Sequence, residues 1–127
     1  MLVITAALLV PACGDGGAQT GSSESGAACG RGSGRIEVSA IGIKFDRDCL
    51  AGPAGRPFRI TFTNGDVGIP HNLAIYSDPS ASELLFRGDQ FRGPNTTIYR
   101  VPALPAGTLF FRCDTHPSQM TGALIVG

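Results

Sequence analysis

Phe58-Arg59-Ile60-Thr61-Phe62-Thr63-Asn64-Gly65 alternates large apolar side chains with polar ones and then stops at an Asn-Gly pair. A period of two puts Phe58, Ile60 and Phe62 on one face of an extended chain and Arg59, Thr61 and Thr63 on the other. Asn-Gly is a strong turn former and ends the run. The stretch reads as a half-buried β-strand, so the fold class depends on how often its pattern recurs.

It recurs through most of the chain. Upstream, Ile36 and Val38 alternate with Glu37 and Ser39, after which Ile41, Ile43 and Phe45 carry the apolar set on the opposite parity. That one-residue shift near Ala40 predicts a bulge or a crossing between sheets. Downstream, His71 to Tyr76, Thr96 to Val101, Thr108 to Cys113 and Gly122 to Val126 read as further strands. Ser77 to Asn95 shows no clear period, and Glu83-Leu84-Leu85-Phe86 with Phe91 suits either a short helix or a strand over a sheet edge. With 18 Gly and 9 Pro spread between Ile-, Val-, Phe- and Thr-rich runs, the expectation is an all-β domain over residues 35–127. A chain of 127 residues leaves room for one such domain.

Ten Lys and Arg balance ten Asp and Glu. The arginines are scattered singly, which gives no electrostatic footprint for nucleic acid. From Gly30 onward, ten basic residues against eight acidic ones leave about +2, too little to define a partner.

Residues 1–13 begin with an apolar run of signal-peptide length, too short to span a bilayer, and end in Val10-Pro11-Ala12-Cys13, which resembles a bacterial lipobox. Pro11 is unusual in that motif, and no Lys or Arg precedes the apolar run. The reading is export to the bacterial cell envelope, periplasmic or lipid-anchored through Cys13, with no other membrane contact. Residues 14–34 are rich in Gly, Ser and Ala and read as a flexible tether. Of the four cysteines, Cys29 and Cys49 remain as a candidate disulfide in an oxidising compartment, the other reading being two unpaired thiols.

The chemistry concentrates in Cys113-Asp114-Thr115-His116-Pro117-Ser118-Gln119-Met120 and in Pro70-His71-Asn72. These segments hold both histidines of the chain and the one methionine besides Met1. Parity places His71 on the face of Leu73 and Ile75, and Cys113 on the face of Leu109 and Phe111, so both point inward. A thiolate and two imidazoles with a weak thioether form the donor set of a blue-copper electron-transfer site, in which soft sulfur suits Cu(I) and imidazole accepts Cu(II). Taken singly, a strand-end Cys, a lone His and a late Met are more often core or surface residues than ligands. Their joint spacing carries the copper reading.

The pattern Gly68-Ile69-Pro70-His71-Asn72 followed by Cys113-x-x-His116-x-x-x-Met120-x-Gly122 resembles the cupredoxin family, relatives of plastocyanin, pseudoazurin and amicyanin, over about residues 35–127. The resemblance implies a Greek-key β-sandwich or barrel holding one type 1 copper. It implies His71, Cys113 and His116 as equatorial ligands, Met120 as the axial ligand, and Asn72 as the residue that ties down the copper loop near Cys113 and Asp114. Three residues between His116 and Met120 fall between the amicyanin and plastocyanin loop lengths, which bears on the axial bond more than on the site.

The implied function is single-electron transport by a monomer, with redox proteins docking near the exposed edge of His116 among Val67, Ile69 and Pro117. The alternative is a periplasmic copper carrier or sequestering protein using the same ligands. Zinc is the rival metal, with Asp114 as a fourth ligand, but parity turns Asp114 away from Cys113. Enzyme readings fare worse: Cys-His catalysis needs an oxyanion site and cleft, and a multicopper enzyme needs histidines that this chain does not have.

Overall fold

The computed structural model describes residues 29–30 and 32–127. The leader read over residues 1–13 and most of the tether read over 14–34 lie outside the described residues. Ten strands follow in order: β1 (Arg35–Ala40), β2 (Cys49–Gly52), β3 (Phe58–Asn64), β4 (Pro70–His71), β5 (Ala74–Tyr76), β6 (Leu84–Arg87), β7 (Phe91–Arg92), β8 (Asn95–Val101), β9 (Gly107–Arg112) and β10 (Thr121–Val126). The all-β domain expected from the alternating runs is what the chain forms, in the layered sheets that the family resemblance implies.

One sheet has the order β1-β3-β8 and the other β2-β10-β9-β5-β6, while β4 and β7 pair by themselves. β3 runs parallel to β1 and antiparallel to β8, with Ile60 opposite both Ile36 and Tyr99. Because β1, β2 and β3 alternate between the sheets, β2 does not pair with either of its sequence neighbours, and β1 and β3 can pair parallel.

Phe58, Ile60 and Phe62 are buried as their parity requires, facing Leu50, Ile75, Leu109, Phe111, Leu124 and Val126 of the other sheet. An aromatic seam crosses the core: Phe45 lies 6.0 Å from Phe62 and 5.2 Å from Phe111 between ring centroids. Each fully buried phenylalanine contributes about 2–3 kcal/mol by leaving water.

The parity shift near Ala40 is neither a bulge nor a continuous crossing strand. β1 ends at Ala40, Ile41 is exposed, and Gly42 and Ile43 turn the chain through positive φ before Phe45 bridges back to Ala40 and enters the core. In the stretch without a clear period, Leu84–Arg87 forms an edge strand against β5, and Phe91–Arg92 pairs with β4. Cys29 is buried and disulfide-bonded to Cys49, so ordered contacts begin ahead of β1.

Gly122 follows the ligand-rich loop, and its role is close packing rather than an unusual φ. A Cβ there would lie 2.3 Å from the Phe111 ring and 2.6 Å from the Asp48 carbonyl oxygen. The backbone contact cannot be relieved by a side-chain rotation. Gly122→Ala is therefore expected to destabilise the domain by about 1–3 kcal/mol, measured as a lower denaturation midpoint of the metal-free protein.

Candidate metal centre

Strand β4 ends on His71, and β9 delivers Cys113 one residue after its last rung. Both are fully buried, and His116 is half-buried. The loop that follows is closed by its own backbone: His116 N–H donates to the Cys113 carbonyl at 3.2 Å, Met120 N–H to the His116 carbonyl at 3.1 Å, and Cys113 N–H to the Met120 carbonyl at 2.9 Å. These bonds fold the chain so tightly that His116 returns over Cys113 and Met120 is fully buried beneath the loop.

The donor atoms of His71, Cys113 and His116 lie within 4.8 Å of one another. Cys113 Sγ is 3.8 Å from His71 Nδ1 and 3.7 Å from His116 Nδ1. A metal bound at about 2.3 Å by a thiolate and about 2.0 Å by an imidazole holds those atoms about 3.7 Å apart when the angle is trigonal, and about 3.5 Å apart when it is tetrahedral. The observed separations match the trigonal case and are too long for good hydrogen bonds. The donor set thus suits a soft metal held by these three residues. Asp114 supplies no fourth strong ligand, because its carboxylate is turned away and engaged by Tyr76, Arg87 and Arg112.

No protein-family model matches the chain, and no curated protein matches it in sequence. Solved structures do. An auracyanin from Roseiflexus castenholzii, in its dithionite-reduced form, superposes with a TM-score of 0.68 at 18% identity, covering 76% of this chain and 98% of that one. Auracyanin A, described as a "blue" copper protein from Chloroflexus aurantiacus, gives 0.64 at 23% identity, with 73% and 98% covered. Amicyanin from Paracoccus versutus gives 0.53 at 22% identity, with 79% and 88% covered. The fold is that of the cupredoxins.

Within this cupredoxin fold, Asn72 ties the two ligand-bearing segments together. It is fully buried; its Oδ1 accepts from Asp114 N–H at 2.8 Å, and its Nδ2 donates to the Gly88 carbonyl at 3.0 Å. The Thr115 hydroxyl lies 2.9 Å from Cys113 Sγ and 3.2 Å from the Pro70 carbonyl oxygen, a second link between the segments. Asp114 accepts from Tyr76 Oη at 2.7 Å, from Arg112 Nε at 3.1 Å and from Arg87 Nε at 2.9 Å. Burial by itself would raise the Asp114 pKa, but hydrogen bonds from Tyr76, Arg112, Asn72 and Arg87 together hold it below the usual carboxylate value.

One residue escaped sequence reasoning. Asp66, in the loop after β3, is buried with its Oδ2 2.7 Å from His71 Nε2. The hydrogen bond from His71 and those from the backbone N–H groups of Ile43 and Gly42 hold its pKa down to about 2, against the opposing effect of desolvation. An aspartate five positions before a histidine in an irregular loop carries no periodic signal, so only the fold reveals the pair.

Two outcomes follow for the metal-free protein. Asn72→Ala strands the Asp114 N–H and the Gly88 carbonyl and should cost about 2–3 kcal/mol in a urea titration. Asp66 and Asp114 are both depressed in the folded state, so they contribute stability above their unfolded value of 3.8 and that contribution is lost as pH falls. For Asp66 the loss runs from about pH 4 towards about pH 2, which a melting-temperature series should record as a steepening decline that Asp66→Asn flattens.

Proposed function

We propose that the protein is a copper-binding electron carrier that uses His71, Cys113 and His116 as its strong ligands and Met120 as its weak one. The observation that carries this reading is the pair of thiolate-to-imidazole separations, which suit a trigonal metal between them. The donor set favours copper, since thiolate and thioether are soft and imidazole serves either oxidation state. Bound copper would supply one-electron chemistry between Cu(II) and Cu(I).

The chain's own residues then have definite tasks. His71, Cys113 and Met120 are fully buried, which excludes water and fixes the donor atoms before any metal arrives. Asn72 and Thr115 brace the loop so that the donors keep their places when charge changes. His116 is half-buried beside the exposed Pro117, which makes its edge the natural contact for a redox protein, with Val67, 78% exposed, and half-buried Ile69 adding apolar docking surface. Such a buried, braced site favours electron transfer over a carrier or sequestering role, which would exchange metal through an open site. With both histidines in one cluster, the reading is a monomeric carrier and not an enzyme.

Export to the cell envelope is part of the same proposal. Its support is the Cys29–Cys49 disulfide, which persists in oxidising compartments, together with the apolar leader and the cysteine at position 13.

Addition of Cu(II) to the purified protein should produce an intense visible thiolate-to-copper absorption that Cys113→Ser abolishes. A colourless wild type, or colour untouched by that substitution, overturns the reading. Rapid loss of the colour to a modest chelator would instead establish the copper-carrier alternative.

A further inference from the structure

The turn after β1 builds a receptor for one carboxylate. Gly42 and Ile43 have φ values of 65° and 56°, the second an uncommon conformation for a β-branched residue. Successive backbone N–H groups in a turn can face one concavity, a ready-made anion site. Asp66 occupies it: Gly42 N–H donates to Oδ1 at 2.7 Å and Ile43 N–H donates to Oδ2 at 2.9 Å.

The same Oδ2 lies 2.7 Å from His71 Nε2. A carboxylate already bound by two backbone donors is an acceptor only, so the hydrogen between them must sit on His71 Nε2. In the neutral imidazole, the form that binds a metal, that leaves the lone pair on Nδ1, the atom 3.8 Å from Cys113 Sγ. Asp66 is itself oriented at its backbone, donating N–H to Asn64 Oδ1 at 2.9 Å and accepting from Ile69 N–H at 3.2 Å. Asn64 is fully buried and anchored through Nδ2 to the Ile69 and Phe91 carbonyls at 2.8 Å each. His116 has no comparable partner among the described residues.

We propose that Asp66 is a positioning residue for the copper centre: it locks His71 in the Nε2–H tautomer, aims Nδ1 at the metal, and by its charge favours Cu(II) over Cu(I). This rests on the copper reading above. A full carboxylate makes the imidazole a stronger donor than a neutral acceptor would, and the gain is greater for the more highly charged ion. The two histidines therefore have different roles, His71 a fixed ligand set by the fold and His116 a ligand held only by its loop.

The test compares copper-loaded wild type with Asp66→Asn. The variant should keep the thiolate-to-copper band yet lose Cu(II) affinity by about 10-fold more than Cu(I) affinity. A tenfold change in that ratio raises a one-electron reduction potential by about 59 mV. A coloured variant with unchanged affinity ratio and potential overturns the positioning role and leaves the copper centre standing. A wild type that never colours overturns the functional reading, and this inference with it.

Because Asp66 also holds the Gly42–Ile43 turn, a second measurement avoids the variant altogether. Nitrogen–proton correlation spectra of the diamagnetic Cu(I) wild type should place the His71 proton on Nε2, in slow exchange with water. A proton on Nδ1, or a rapidly exchanging one on Nε2, overturns the proposal even if Asp66→Asn fails to fold.

Discussion

The bond from Asp114 N–H to Asn72 Oδ1 joins residues 42 positions apart and holds the candidate centre together. On one side of it stands His71, at the end of β4; on the other stands Cys113, just past β9. Everything else about the site depends on those two segments keeping their register. The buried amide of Asn72 satisfies a half-buried loop N–H and the buried Gly88 carbonyl, so its loss removes two partners at once. Burial makes a modest bond decisive.

Much of this was legible in the sequence because strands write their faces with a period of two. Phe58, Ile60 and Phe62 on β3 and Leu109 and Phe111 on β9 were assigned to the core from alternation, and all five are buried. Inward-facing His71 and Cys113 followed from the same rule, although in β5 it loses force, since Ala74, Ile75 and Tyr76 are all buried and parity no longer separates two faces. The donor cluster was legible from the scarcity of histidine and methionine. Asp66 was not, and neither was the turn at Gly42 and Ile43. Both act through backbone geometry in irregular segments, where no periodicity records which N–H group meets which carboxylate. The parity shift near Ala40 was a true signal of that turn, read as a bulge or a crossing between sheets because each of these irregularities displaces the pattern by one.

The site is thus assembled from unequal supports. His71 is gripped from behind by a carboxylate and from the side by the packed core, whereas His116 depends on a short loop closed by backbone hydrogen bonds. A centre built this way has a rigid wall and an accessible one. The rigid wall fixes the donor positions from behind, and the accessible one leaves part of the His116 side chain open to solvent. Asp114, next to Cys113, has its charge spread over Tyr76, Arg87 and Arg112, so the loop carries a neutralised carboxylate beside the cysteine and not a bare one.

The Cys29–Cys49 disulfide has a mechanical consequence. β1 lies wholly between the bridged cysteines, so it is enclosed in a covalent loop. A pull arriving from upstream of Cys29 passes through the sulfur bridge to Cys49 at the start of β2, leaving β1 outside the line of tension. β2 is in parallel register with β10, Cys49 beside Ala123 and Leu50 beside Leu124, so the bridge hands such a load to the five-stranded sheet. Strand β1, which leads into the turn that holds Asp66, is thereby insulated from forces on the segment that precedes the domain.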